Sequence, residues 1–169
     1  MEEFERNRTQ NIINFKEYVS VIDVSHDGLE MAVGTASPND ECFTPIYIMN
    51  METNTLKKRM LFHTRGVQSL RYNENSTYLL SVGNLKDNKL VVWDNKDKEM
   101  IAHTTQIGAI HEAKWKPFMN ENSSVKNKNK VYEIAVCGRN KIVLYEFSPE
   151  SKKLSIKVEK YLAHVIFFS

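Results

Sequence analysis

Short stretches of alternating apolar and polar residues run along the chain, and each ends in a turn. The alternation becomes readable from Tyr18 and predicts a first strand that ends before the turn Ser25–Gly28. Further strands are predicted at 29–34, 46–51 and 56–61. These segments are rich in Val, Ile and Tyr, and no long stripe of apolar residues has helical spacing. The pattern therefore predicts an all-β fold.

The four-strand pattern occurs three times. Val19, Val67 and Ile110 begin the first strand of each unit, at intervals of 48 and 43 residues. The third strands align as IYIMN (46–50), LVVWD (90–94) and IVLYE (142–146), which places Met49, Trp93 and Tyr145 at one position, and the second strands are predicted to close at Gly34, Gly83 and Gly138. A repeat of this length indicates a fold built from successive copies of one small sheet.

The predicted domain organisation follows the chain in order: an N-terminal extension or outer strand of a preceding unit (1–17), three units (18–62, 63–106 and 107–162) and the start of a further unit (163–169). An insertion at 119–130, MNENSSVKNKNK, interrupts the third unit. Its Asn, Lys and Ser residues cannot bury apolar area, so we expect it to be a mobile loop.

The composition of the chain limits the classes of function. A net charge of +2 is too small to favour nucleic acid as a partner. No apolar run approaches the ~18 residues that cross a bilayer, so no membrane partner is expected. Cys42 and Cys137 are far apart and form no CxxC pair, which predicts buried thiols in a reducing compartment. We therefore expect a cytoplasmic protein.

Three residues, His63, Ser81 and Asp87, are of the types that form hydrolase triads. Ser81 lacks the G-x-S-x-G context that presents a nucleophilic serine on a sharp turn. The remaining histidines do not have the spacing of a zinc site, and no glycine-rich phosphate loop is present. The sequence therefore predicts that the chain is not an enzyme and that it binds no cofactor or metal.

Trp115 lies between two lysines, Lys114 and Lys116. An aromatic residue flanked by cations can stack on a base of single-stranded RNA. The alternation of the segment favours a different arrangement, in which Ala113 and Trp115 face the core and the lysines face water.

The stretch from Phe62 to Asp94 contains a complete set of polar residues. It has a histidine at its entry, a serine on the second strand, an aspartate in the next turn and a tryptophan on the third strand. This order resembles a WD40 repeat, the four-stranded blade of a β-propeller. The resemblance implies a buried hydrogen-bonded set that braces the blade and consists of His63, Ser81, Asp87 and Trp93.

The flanking units lack this set. Phe15 and Gln106 occupy the histidine position, and Ala135 is predicted to occupy the serine position of the third unit. Propeller rings contain ~4–8 blades. Three units and the start of another are therefore expected to form a partial propeller, which needs further blades or a second chain to close.

The stretch is similar in its motifs to the echinoderm microtubule-associated-protein-like family and to related ciliary WD-repeat proteins. The motifs that carry this similarity are FHTRGV, SVG, DN and VVWD. Members of that family have propellers that engage tubulin. The resemblance implies a non-catalytic module that binds tubulin or axonemal proteins in the cytoskeleton or cilium. The candidate partner-binding residues lie in predicted blade loops and in the insertion: Arg65, Lys86, Asn88, Lys126, Lys128 and Lys130. The alternative is a general WD40 scaffold subunit of another cytoplasmic or nuclear complex.

Overall fold

A computed structural model of the chain describes residues 17–37, 43–105, 110–117 and 130–161. These residues form twelve β-strands and no helix. In chain order the strands are β1 (Tyr18–Val24), β2 (Glu30–Ala36), β3 (Ile46–Asn50), β4 (Thr55–Met60), β5 (Val67–Tyr72), β6 (Tyr78–Gly83), β7 (Lys89–Asp94), β8 (Glu99–Thr105), β9 (Ile110–Trp115), β10 (Tyr132–Gly138), β11 (Lys141–Ser148) and β12 (Lys153–Tyr161).

The strands form three antiparallel sheets of four, and each sheet takes its strands in sequence order. The first sheet contains β1 to β4, the second β5 to β8 and the third β9 to β12. The predicted all-β fold of repeated four-stranded sheets is confirmed. Several predicted features lie outside the described residues: most of the N-terminal extension (1–16), most of the insertion (119–129), the predicted unit start (163–169), and Phe15, Cys42, Gln106, Lys126 and Lys128.

All three sheets contain a β-bulge at the same place. Between the third and fourth strands the register shifts at Ile48/Met49, at Val92/Trp93 and at Leu144/Tyr145. The bulge places Met49, Trp93 and Tyr145 at one position, as the sequence alignment predicted. A bulge at a fixed position re-aims the same side chain in every sheet, so the repeat is present in the backbone as well as in the sequence.

The strand register shows that one of the three glycines predicted to close the second strands, Gly34, is not equivalent to the other two. The pairs that join the first two strands of each sheet at one end are Val19–Thr35, Val67–Gly83 and Ile110–Gly138. The expected equivalence of Gly34 with the other two glycines is therefore wrong by one residue. Gly34 faces the second sheet, where an added β-carbon would lie 2.9 Å from the Val67 side chain. Close packing between sheets is thus the physical reason for this glycine.

The serine position of the third sheet also differs from the prediction. In the second sheet, Ser81 pairs with the β7 residue that lies two positions before Trp93. In the third sheet, Val136 pairs with the β11 residue that lies two positions before Tyr145. Val136 therefore takes the place of Ser81, and the expected equivalence of Ala135 is wrong by one residue. An apolar side chain, 2% exposed, replaces the hydroxyl there.

The core consists of two layers, one on each face of the middle sheet. Between the first and second sheets the central buried residues are Ala32, Ile46, Ile48, Leu70, Leu79, Val91 and Trp93. Between the second and third sheets they are Leu80, Val82, Leu90, Val92, Ile134, Val143, Tyr145 and Phe147. Successive residues of β6 and β7 thus face opposite layers, which explains why both strands are almost continuously apolar.

Two predictions about exposure have different outcomes. Ala113 is buried and Trp115 half-buried, while Lys114 and Lys116 are exposed, as the alternation predicted. The prediction of a buried thiol is wrong for Cys137, which is exposed. Its neighbour in sequence, Val136, faces the second sheet, so Cys137 points to the other face of the third sheet, which is not covered by any described strand.

Candidate functional site

Four side chains of the second sheet are joined by a continuous series of hydrogen bonds. The imidazole Nδ1 of His63 lies 2.6 Å from Oδ2 of Asp87, and Nε2 lies 2.7 Å from Oγ of Ser81. The indole Nε1 of Trp93 donates to the same Ser81 oxygen at 2.8 Å. The structure therefore brings together all four residues of the predicted bracing set.

The four residues come from different elements. His63 lies in the loop between β4 and β5, and Asp87 lies in the turn between β6 and β7. Ser81 is on β6 and Trp93 is on β7. Side chains alternate along a strand, so a residue lies on the same face of the sheet as its partner on the next strand and as the residue two positions from that partner. Trp93 lies two positions after the β7 residue that pairs with Ser81. Both side chains therefore face the loop histidine.

The Asp87 carboxylate accepts hydrogen bonds from several donors. Besides His63, the backbone nitrogen and the hydroxyl of Thr64 donate to Oδ1 at 3.0 and 2.8 Å. Burial raises the pKa of Asp87, but the hydrogen bonds from His63 and Thr64 outweigh it and lower the pKa to about 2. The ionised carboxylate can only accept, so Nδ1 of His63 carries a proton. In the neutral imidazole, Nε2 then accepts from the hydroxyl of Ser81.

Phe62 directly precedes the histidine of the bracing set, and its ring packs against that set. Its centroid lies 6.0 Å from that of His63 and 6.3 Å from that of Trp93, both with edge-to-face geometry. It also lies 5.1 Å from the His103 ring, and the Lys89 ammonium is 5.0 Å from its centroid. The side chain of Phe62 thus adds apolar and cation–π contacts around the bracing set.

The bracing set is buried, with Trp93 4% and Asp87 6% exposed. His63 and Ser81 are both 0% exposed. The order carboxylate, imidazole, hydroxyl is that of a hydrolase triad, but the Ser81 oxygen also accepts from an indole and lies between two core layers. A substrate cannot approach this oxygen without opening the sheet.

Comparison with known proteins gives two kinds of similarity. No family model matches the chain. The chain is 20% identical over 117 residues to WD repeat-containing protein 90 of Xenopus tropicalis, a match that covers 69% of this chain and 6% of that protein. Its structure is similar to the β-propeller domain of Cps50 (Swd1) from Myceliophteria thermophila, with a TM-score of 0.67, 18% identity, and coverage of 92% of this chain and 42% of that chain. The chain folds as part of a β-propeller.

The three sheets are therefore three propeller blades. A chain of the Mitotic Checkpoint Complex is also similar, with a TM-score of 0.66 and 16% identity, over 86% of this chain and 41% of that chain. The match to a WD repeat protein supports the WD-repeat type of propeller. The chain spans less than half of the matched propeller chains and a small fraction of the WD repeat protein.

Three of the predicted partner-binding residues, Arg65, Lys86 and Asn88, lie at one end of the second blade, which we call the His63 end. There the side chain of Asn84 donates to the backbone oxygen of Arg65 at 2.9 Å and accepts from the backbone nitrogen of Lys86 at 3.1 Å. Lys86 is exposed and Arg65 is half-buried. Asn88 has a φ of 51°, is half-buried and has a buried Oδ1.

Exposed apolar residues at the His63 end were missed by the sequence reasoning. Phe43, which is bridged to Thr64 through the backbone, is 60% exposed. Leu85, next to Lys86, is 57% exposed. The available signal was their position, since both are large apolar residues outside the alternating strands.

Lys130 lies at the opposite end of the blades, just before β10. Its ammonium is 5.3 Å from the centroid of the Tyr132 ring. A cavity of about 410 Å³ is found at the same end, lined by Arg71, Tyr72, Lys114, Trp115, Lys116 and Tyr132, among others. The Trp115 indole is anchored there because it donates to the backbone oxygen of Arg71 at 2.8 Å. The predicted basic residues that the structure describes therefore belong to two separate surfaces.

Two structural features are absent from the part of the chain that the structure describes. No group of three or more His, Cys, Asp and Glu side chains there is arranged to hold a metal ion. In the same part of the chain, no helix has the length and apolar character needed to cross a bilayer.

Proposed function

We propose that the chain is a non-catalytic interaction module that binds a protein partner through the His63 end of its blades. The observation that carries this proposal is the contrast in burial between the triad-like residues and the loop residues at that end. The triad-like residues are sealed inside the second blade, while Phe43, Arg65, Leu85 and Lys86 surround the loops above them. The buried set supports the loops, and the loops supply the contacts.

The Ser81 hydroxyl lacks the access to substrate and the free hydrogen-bonding capacity that a nucleophile needs. The Ser81 oxygen is buried, and it is held between His63 and the Trp93 indole. A nucleophile must be able to reach its substrate, and a general base must be free to take up the proton. Here each polar group of the set already has a partner within the blade, which is the state expected of structural bracing.

The composition of the His63 end suits protein recognition. Interfaces are enriched in aromatic residues and arginine at their centre, with polar residues around them. Phe43 and Leu85 provide exposed apolar area, and Arg65 and Lys86 provide positive charge nearby. The loop between Gly83 and Lys89 is held in shape by Asn84 and Asp87, so little ordering entropy is lost on binding.

The partner class that we propose is microtubule or axonemal protein. Two features support it: the resemblance of the Phe62–Asp94 stretch to microtubule-associated WD-repeat proteins, and the cations of the His63 end, which suit an acidic surface such as that of tubulin. A protein with this role would be located in the cytoplasm on the cytoskeleton, including the cilium.

A general scaffold role in another cytoplasmic or nuclear complex is the second candidate. One observation favours it, namely the likeness of the fold to a chain of the Mitotic Checkpoint Complex. The two candidates use the same surface and differ in the partner, so a test of microtubule binding separates them.

Co-sedimentation with microtubules tests the proposal. We expect the full chain to enter the pellet at low ionic strength and to leave it as salt is added, because charged contacts at a surface are screened. Lys86→Glu should weaken binding several-fold by removing one favourable contact and adding a repulsive one. Lys130→Glu, the same charge change at the opposite end, is the matched control and should bind like the unaltered chain.

Two outcomes contradict parts of this proposal, and a third supports it. A chain that stays in the supernatant at low salt excludes microtubules and leaves the scaffold role. Equal loss of binding in both charge variants excludes the His63 end as the specific surface. Loss of binding in Phe43→Ser and Leu85→Ser, with the fold retained by circular dichroism, is expected if these side chains form the centre of the interface.

A further inference from the structure

The end of the blades opposite to the His63 end carries a cavity of about 410 Å³, which we call the inter-blade cavity. One wall belongs to the second blade and consists of the end of β5 and the turn that follows it. The other wall belongs to the third blade and consists of the end of β9, the two residues after it and the start of β10. Ligand sites commonly have volumes of about 300–1,000 Å³, so the cavity has room for a side chain of a partner.

Aromatic rings form the apolar part of the inter-blade cavity. Trp115 and Tyr132 line it, and their ring centroids are 6.0 Å apart. The rings of Tyr78 and Phe147 support Trp115 at centroid distances of 6.4 and 6.3 Å. The indole of Trp115 is also fixed by its hydrogen bond to the backbone oxygen of Arg71. These contacts hold the rings in place before a ligand arrives, which reduces the ordering cost of binding.

The turn after β5 is held in one shape by Asn73. Its side-chain oxygen accepts a hydrogen bond from the backbone nitrogen of Tyr78 at 2.9 Å, and its backbone oxygen accepts one from the backbone nitrogen of Ser76 at 2.9 Å. Asn73 is only 2% exposed, so water does not compete for these bonds. The wall that the second blade contributes is therefore formed in the free chain.

The charged residues that line the inter-blade cavity are mainly cationic. Arg71, Lys114 and Lys116 are positive, and Glu74 is negative. The guanidinium of Arg71 is oriented by the carboxylate of Glu112 at 3.1 Å. Lys114 and Lys116 are exposed, and long lysine side chains keep their ammonium groups in water. A ligand that carries carboxylates beside an apolar group matches both the rings and the cations.

Single-stranded RNA suits the inter-blade cavity less well than a peptide does. A base stacks on an aromatic ring that has an open face. The Trp115 ring is half-buried, and the Tyr78 ring lies beside it at an interplanar angle of 34°. A single apolar side chain needs less of the aromatic surface than a base does. The geometry therefore favours a peptide.

We propose that the inter-blade cavity binds a short acidic peptide segment of a protein partner. An apolar side chain of the segment packs against Trp115 and Tyr132, and carboxylates on either side of it meet the cations of Lys114 and Lys116. The surface is separate from the His63 end, and the inference is independent of the microtubule partner proposed above. A chain with both surfaces can hold two partners at once.

Nuclear magnetic resonance of the isotope-labelled full chain tests the proposal. The chain contains two tryptophans, and each gives one indole N–H signal. Trp115 lines the cavity, whereas Trp93 is buried in the bracing set. The probe is the synthetic peptide Asp-Glu-Phe-Asp-Glu. We expect it to shift the Trp115 signal until saturation, to leave the Trp93 signal in place, and to bind more weakly as salt is added.

A charge reversal at the cavity and a matched one elsewhere show where the peptide binds. Lys116→Glu should weaken binding about five-fold, because it removes a cation and adds a repulsive charge. Its ion pair with Glu133 is exposed, so the variant should melt like the unaltered chain. Lys86→Glu makes the same change at the His63 end and should bind the peptide with unaltered affinity.

Two control peptides separate the apolar contact from the charges. Asn-Gln-Phe-Asn-Gln keeps the ring and lacks the carboxylates, and Asp-Glu-Ser-Asp-Glu keeps the carboxylates and lacks the ring. We expect each to bind about ten-fold more weakly than the probe, because each has lost one of the two kinds of contact.

The opposite results overturn the proposal. A Trp115 signal that does not move at saturating peptide, or a Lys116→Glu variant that binds as well as the unaltered chain, excludes the cavity as an acidic-peptide site. Equal binding of the serine peptide shows that the rings are not used. If oligouridine RNA shifts the Trp115 signal and the acidic peptide does not, the site belongs to RNA. Failure of microtubule co-sedimentation leaves all of these outcomes unaffected, so the two proposals fail separately.

Discussion

The carboxylate of Asp87 lies directly over the backbone of Gly83. A β-carbon added to Gly83 would be 1.9 Å from Oδ2 and 2.7 Å from the carboxyl carbon of Asp87. The absence of a side chain at this position lets the carboxylate reach the imidazole of His63 from the turn between β6 and β7. Glycine is required here for close approach, since Gly83 is not among the described residues with positive φ.

Gly83→Ala should destabilise the second blade, because the new methyl group and the Asp87 carboxylate cannot occupy the same space. We expect a loss of about 3 kcal/mol in the free energy of unfolding, at the upper end of overpacking effects. The measurement is urea unfolding followed by circular dichroism. In an Asp87→Ala background the same substitution should cost much less. An equal cost in both backgrounds would show that the carboxylate is not the obstacle.

Acid should weaken the bracing set before it affects apolar packing. The pKa of Asp87 is lowered from 3.8 to about 2 in the folded chain, so its contribution is complete above pH ~4 and is lost as the pH falls towards 2. The shift corresponds to about 2 kcal/mol at neutral pH. Urea unfolding at several pH values, compared between the unaltered chain and Asp87→Asn, isolates this contribution from other carboxylates. Parallel pH profiles of the two proteins contradict the prediction.

Trp93→Phe removes one hydrogen bond and keeps an aromatic ring in the core. The Ser81 oxygen then loses the indole donor at 2.8 Å, and we expect a loss of about 1–2 kcal/mol in the free energy of unfolding. In a Ser81→Ala background the cost should fall, because the hydroxyl that the indole donates to is already absent. Thermal or urea unfolding of the four proteins measures the difference. If the cost does not change with the background, packing of the larger ring explains the whole effect.

The sequence predicted the strands, the repeat and the bracing set because each depends on local order. Alternation marks a strand, and the types His63, Ser81, Asp87 and Trp93 occur in the order that one blade requires. The role of Phe62 was less predictable. Its contribution to packing depends on contacts with the rings of Trp93 and His103, which form only when the sheet has folded.

The equivalences of Gly34 and Ala135 were wrong by one residue for a definite physical reason. The alignment followed residue type, whereas the strand pairs Val19–Thr35 and Val67–Gly83 are separated by the same number of residues, so Thr35 and not the adjacent glycine holds the position of Gly83. A shift of one residue also reverses which face a side chain occupies, so it changed the expected replacement for Ser81 from Ala135 to Val136.

The exposed surfaces were still harder to predict from the sequence, because they depend on how the loops and blades are arranged in the fold. Phe43 and Leu85 look like ordinary apolar residues in the sequence, and only the arrangement of loops places them beside Arg65 and Lys86. Cys137 was expected to be buried because it has no CxxC partner and free cysteines are among the residues most often buried. Its exposure follows from the position of its blade at the edge of the described structure.

The central claim is that the residues that resemble a hydrolase triad brace the blade. The most direct measurement is a double-mutant cycle between His63 and Asp87, using His63→Ala, Asp87→Ala and the double variant in urea unfolding. We predict that each single variant loses about 1–3 kcal/mol, because a buried partner is left unsatisfied. The double variant should lose little more than either single one, which gives a coupling energy of about 2 kcal/mol. Additive losses, or two variants as stable as the unaltered chain, would contradict the account.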